Sequence, residues 1–275
     1  MRRLLRNFAF TSGALLTIIL IVAALAAPLL SPYDPDVQDT MRRLEAPSHQ
    51  HPLGLDDLGR DVLSRILWGA RVSLRVGFSV VVIASLIGVS LGAIAGYFGG
   101  AADVIIMRIC DILLAFPGIL LAIALVAVLG PSLNNVILAL GTIGWVGYAR
   151  LVRGQVLKVR EMEYVTAAEA LGARSMRVIL RHVLPNVINP VIVMATLGLA
   201  GAILAEAALS FLGLGVQPPT PSWGAMLTSG RRYLGIANHL AIYPGAAIML
   251  AVMGLNFLGD GLIDALDPKY RKRIE

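Results

Sequence analysis

The chain has 275 residues, 57% of them hydrophobic and only 15% charged, with 23 Lys and Arg against 17 Asp and Glu for a net charge of +6. A soluble domain carries roughly 45–50% apolar and about 25% charged residues, and a chain this apolar does not stay solvated as a disordered coil, so both classes are excluded. The basic excess calls for no nucleic acid, because Lys and Arg collect in the cytoplasmic loops of membrane chains. A multi-pass membrane protein remains.

A hydrocarbon core of about 30 Å takes roughly 20 apolar residues in a helix, so long stretches without charge count as spans. The first is 7–33, preceded by Arg2, Arg3 and Arg6. Ala24-Leu25-Ala26 is an acceptable signal cleavage site, but the apolar run exceeds the ~7–15 residues of a signal core and is read as a span. In the loop that follows, Asp56 or Asp57 can cap a helix whose apolar stripe is Val62, Leu63, Ile66 and Leu67, with Asp61 and Arg65 at i,i+4 as a salt bridge. That helix is expected on the outer face of the membrane, and His49 and His51 are read as plain loop residues. The second span, 76–102, lays Gly88, Gly92 and Gly96 along one face, which lets a neighbouring backbone approach closely.

Residues 112–149 carry no charge and are interrupted at Gly130-Pro131-Ser132 and Asn134-Asn135, so they read as two spans joined by a turn. Gly141, Gly144 and Gly147 form a second stripe. Arg108 and Asp111, three apart near the start of the third span, can neutralise each other. Residues 161–190 are too polar to span. A helix over about 160–171 can end on Gly172, and Ser175 can cap a second helix that Pro185 stops. There Arg174, Arg177 and Arg181 share one face, and Met176, Ile179, Leu180 and Val183 the other. The fifth span runs from 185 past Glu206 to about 211. Glu206 has no partner in its own helix and is either a buried polar contact or a translocation-path residue. Gln217-Pro218-Pro219-Thr220-Pro221 must be a rigid external turn. The sixth span is 234–259, and Asp260, Asp264 and Asp267 beyond it read as solvated.

Six spans put both termini on one side. Arg2, Arg3 and Arg6, the seven basic residues of 150–181, and Lys269, Arg271, Lys272 and Arg273 fall together there as 14 of the 23, so that side is cytoplasmic. Cys110 alone makes an intrachain disulfide impossible. The lysines, Lys158, Lys269 and Lys272, stand in no G-x4-G-K-[ST] loop, so the chain does not hold ATP in that manner. No catalytic, cofactor-binding or metal-binding residue is assigned.

Thr166, Ala167, Ala168 and Gly172, followed by His182, Leu184 and Pro185, resemble the EAA loop of ABC importer permeases, E-A-A-x3-G and then I-x-L-P. Thr166 stands for the Glu and His182 for the Ile. HPLGLDDLGRDVLSRILWGARVSL from position 51, AGYFGG from 95, IIMRICDILLAFP from 105, EAALSFLGLGVQPPTPSWGAML from 206 and GDGLIDALDPK from 259 resemble, in order, the dipeptide, oligopeptide and nickel branch of that family, of the DppC/OppC kind. The resemblance implies an all-α type I ABC importer permease with six transmembrane helices, both termini cytoplasmic and cytoplasmic coupling helices. Residues 1–30 are then the N-terminal end and first helix, 31–75 an extracytoplasmic loop, 76–265 the transmembrane core with its coupling loop at 158–187, and 266–275 a basic tail. It further implies that Thr166, Ala167, Ala168, Gly172, Arg174, Leu184 and Pro185 face a separate ATPase, and that ATP and Mg are held on partner subunits. The implied partners are a second homologous permease, two ATP-binding subunits, an extracytoplasmic solute-binding protein and membrane lipid, in a prokaryotic plasma membrane. The implied cargo is a di- or oligopeptide, with nickel or another small solute as the alternative. The rival class is a stand-alone ion-coupled carrier working through Glu206.

Overall fold

The computed structural model describes residues 8–266; Arg2, Arg3, Arg6, Asp267, Lys269, Arg271, Lys272 and Arg273 lie outside the described residues. Regular structure among them is helical, apart from one isolated bridge between Leu55 and Asp61. The long helices are α1 (Phe8–Leu25), α3 (Val62–Phe98), α6 (Leu133–Arg160), α9 (Leu184–Phe211) and α11 (His239–Leu266). All five segments are long and apolar enough to cross a membrane, and a bent pair, α4 (Gly100–Leu114) with α5 (Gly118–Leu129), makes a sixth candidate. Shorter helices are α2 (Ala27–Leu30), α7 (Glu163–Ala170), α8 (Ser175–Val178) and α10 (Trp223–Gly230).

Three expectations about the spans are corrected. The helix after Asp61 does not lie apart from the second span: α3 is continuous for 37 residues, because nothing between Leu67 and Val76 breaks helical hydrogen bonding. At 1.5 Å per residue it is about 55 Å long, well beyond a bilayer core. The third span is not one straight helix, since α4 and α5 meet at 86°. Pro117 has no N–H to donate and disfavours α geometry at Phe116, so the chain turns there. Finally, Pro185 stops nothing. It sits in the first turn of α9, and a π turn over Ile179–Val183 precedes it, widening the helix where the proline ring would crowd the preceding turn.

The glycine stripe of α3 is a packing face. A Cβ on Gly88, Gly92 or Gly96 would fall within 2.4, 2.5 and 2.8 Å of α6 atoms at Tyr148, Ala149 and Val156. Here α3 and α6 touch almost backbone to backbone. Ser90 within this stripe has the G-x-S-x-G spacing of a nucleophile elbow, but it lies mid-helix with its hydroxyl donating to Leu86 O. Gly13 of α1 meets Leu258 and Gly254 of α11 meets Leu16 in the same way.

Residues 31–61 form an ordered cap over the N-terminal end of α3. Asp61, not Asp56 or Asp57, caps the helix, accepting from Ser64 N at 2.8 Å. Its other oxygen lies 2.9 Å from His51 Nδ1, so His51 is a buried structural partner and not a plain loop residue. With Asp61 turned back over the first helical turn, Arg65 pairs elsewhere. It donates to Pro35 O at 2.8 Å and lies 3.5 Å from both Asp36 and Asp56, while Arg60 bonds Asp56 at 2.7 Å.

Candidate functional site

At the opposite end of α3 the chain makes an elbow. The left-handed φ of +81° at Gly172 ends α7, with Gly172 N donating to Glu169 O at 2.9 Å and Ala173 N to Ala168 O at 3.1 Å, the paired bonds of a Schellman cap. Arg174 is the N-cap of α8 and gives no side-chain cap, so Ser175 is the first helical residue and not its cap. Fully buried Val165 roots the elbow among Val156, Val159 and Val178. Thr166, Ala167, Gly172, Arg174 and Pro185 are exposed, and Ala168 and Leu184 half-buried.

The apolar face of α8 is corrected too. Val178, Ile179 and Val183 are buried, whereas Met176 is 63% exposed and Leu180 also faces outward. Val178 and Val183 are five residues apart, the spacing that a π turn brings to one face. Met176 and Leu180 thus join Leu171, 89% exposed, in an apolar surface around the elbow.

Between α3, α6 and α9, with α5 and α11 at its margin, lies a cavity of about 1220 Å³ whose lining includes Val81, Tyr148, Met194 and Gly198. Its polar groups Gln155, Lys158 and Asn189 come from the elbow ends of α6 and α9. Among the described residues no Asp, Glu, His or Cys lines it. Sequence reasoning missed this groove, although Gly144, Tyr148, Leu151, Gln155 and Lys158 repeat at steps of three and four along α6 and all face it.

Glu206 lies off the groove lining, 0% exposed, at the junction of α3, α9 and α10. It does have a partner in its own helix, since Ser210 Oγ donates to Glu206 Oε1 at 2.6 Å. The hydroxyls of Ser73 on α3 and Ser222, the N-cap of α10, approach the same carboxylate. Arg108 and Asp111 are both exposed, and Asp111 bonds Arg150 of α6 instead of Arg108. Asp103 likewise bonds Arg153, at 2.6 Å, so two ion pairs fasten α4 along α6.

The family described as binding-protein-dependent transport system inner membrane component matches residues 88–272, and the N-terminal TM domain of oligopeptide transport permease C matches residues 1–47. The chain is 47% identical over 271 residues to the glutathione transport system permease protein GsiD of Pectobacterium atrosepticum, covering 98% of this chain and 90% of that protein. It is 47% identical over 270 residues to the dipeptide transport system permease protein DppC of Alkalihalophilus pseudofirmus, covering 98% and 89%. To GsiD of Escherichia coli O6:K15:H31 it is 48% identical over 271 residues, covering 98% and 89%. With its candidate spans and its matches over nearly its whole length, the chain belongs to the inner-membrane permease components of binding-protein-dependent ABC importers, in the peptide-type group.

Proposed function

We propose that the chain is one of two permease subunits of an ATP-driven importer of short peptides, glutathione included, and that it does no chemistry itself. The exposed elbow of α7, Gly172 and α8 carries this reading. Its apolar rim offers a docking surface for an ATPase subunit, and Ala167 and Ala168 leave room for close approach. ATP and Mg belong to two such subunits. The groove between α3, α6 and α9 is then half of a translocation path that a second permease completes, and an extracytoplasmic solute-binding protein delivers cargo on the side of the cap. The positive-inside distribution supports a reading with the elbow and both termini in the cytoplasm of a prokaryotic cell.

The relatives' names supply the cargo class, and the groove supports an organic solute over a free metal ion because its lining among the described residues offers no carboxylate, imidazole or thiolate. The place of Glu206 off the groove lining does not favour an ion-coupled carrier. Mass spectrometry of what co-purifies with the C-terminally tagged chain from native membranes in mild detergent tests the assembly. Two ATPase chains, a second permease and a peptide-type binding protein are expected. A chain that comes down alone, or only with itself, would overturn the importer reading.

A further inference from the structure

The last turn of α3 reaches into the elbow. Tyr97 Oη donates to Glu169 Oε1 at 2.7 Å, at the C-terminal end of α7. Ser175, the first residue of α8, lies close to the same phenol. Arg160, where α6 hands over to α7, donates to Tyr97 O at 2.8 Å. One residue of α3 therefore grips both joints of α7. Its ring is fixed for that task, buried among Val156, Val165 and Val178 and packed edge-on to Phe98 with centroids 5.2 Å apart.

Gly172 itself stands in open space, with nothing within 4 Å of a Cβ placed on it. Left alone, a glycine at φ +81° between two short helices would let α7 swing without moving anything else. A hydroxyl bonded to the last turn of α7 and close to the first residue of α8 ties that loose joint to α3. We propose that Tyr97, with Glu169 as its acceptor, is the positioning residue through which displacement of the elbow is passed to α3. The proposal rests on the elbow being the ATPase contact.

The test is hydrogen exchange read by mass spectrometry on the chain purified with its companion subunits into lipid nanodiscs. Without nucleotide, the amides of Leu171, Gly172 and Ala173, whose bonds close the elbow, are expected to exchange about fivefold faster in Tyr97→Phe and Glu169→Ala. Glu169→Gln keeps an acceptor oxygen and should stay near wild type, and the double variant Tyr97→Phe/Glu169→Ala should exceed neither single change. With ATP, Mg and vanadate, wild type should change exchange in both α7 and the last two turns of α3, and Tyr97→Phe in α7 alone. Unchanged elbow exchange in Tyr97→Phe would overturn the clasp. A nucleotide response that still reaches α3 in that variant would overturn the positioning role. If no ATPase accompanies the chain, the importer reading fails, while the nucleotide-free comparison still judges the clasp.

Discussion

Glu206 shows what a single residue discloses in a membrane chain. A lone acid in an apolar run draws notice because burying it is costly, but the hydroxyls of Ser73 and Ser222 that approach it are too distant in sequence to be foreseen. The nearer partner, Ser210, was foreseeable at i+4. Ser210 bonds one carboxylate oxygen, while Glu206 Oε2 and Ser73 Oγ both remain without a bond of ordinary length. Glu206→Ala is expected to lower stability by about 2–4 kcal/mol, combining a lost hydrogen bond with a cavity. Glu206→Gln, which fills the same space and offers a donor to Ser73, should lose less than about 1 kcal/mol. Thermal unfolding of the purified chain in detergent measures both, and a wild-type midpoint for Glu206→Ala would remove the packing role. Arg65 misleads for the opposite reason: its i+4 neighbour Asp61 is plain in the sequence, but capping claims that carboxylate. Because Arg65 joins Pro35, Asp36 and Asp56, Arg65→Met should expose residues 31–61 to protease at a concentration that leaves the wild-type cap intact.

Among the elements, the apolar runs and their punctuation were legible where one residue decides. Gly130-Pro131-Ser132 makes the expected turn, with Ser132 capping α6 by accepting from Asn135 N at 3.2 Å. Gly172 ends α7 as its conformational freedom allows. The breaks that depend on context were not legible: Pro117 bends its span, while Pro185 and Pro190 sit inside helical structure. A proline at the mouth of a helix is harmless, and only the helical state of the residues before it tells the cases apart. Two substitutions separate packing from conformation. Gly92→Val would put a side chain 2.5 Å from Ala149 O of α6, so loss of the folded chain from membranes is expected on immunoblots, whereas Gly201→Ala, in open space, should express normally. Gly172→Val strains only the elbow and should leave expression intact while uncoupling uptake from ATP hydrolysis. Gly172→Asn, which tolerates the left-handed region better, should retain more of that coupling. Equal uptake per ATP in Gly172→Val and wild-type complexes would remove the elbow from the transport cycle.

Across the whole molecule, composition was enough for the class of protein, and charge asymmetry for an orientation that labelling can test. Cys110 is fully buried and so gives little background in cysteine labelling. An impermeant maleimide added to intact cells should label Ala46→Cys in the cap, and should reach Ala170→Cys at the elbow only after permeabilisation; the reverse pattern would invert the topology. The groove was not legible, because it exists only where three helices from distant parts of the chain converge. The unbroken α3 has a mechanical corollary. Its first turn is bound into the cap through Arg65, its last into the elbow through Tyr97, and its close glycine contact with α6 begins at Gly88. Taken as a rigid beam pivoting there, it has arms of about 35 Å towards the cap and about 14 Å towards the elbow. Any tilt about that fulcrum moves the two ends in opposite senses, with the longer throw at the cap, so a small push on one side of the bilayer becomes a larger, opposite swing on the other.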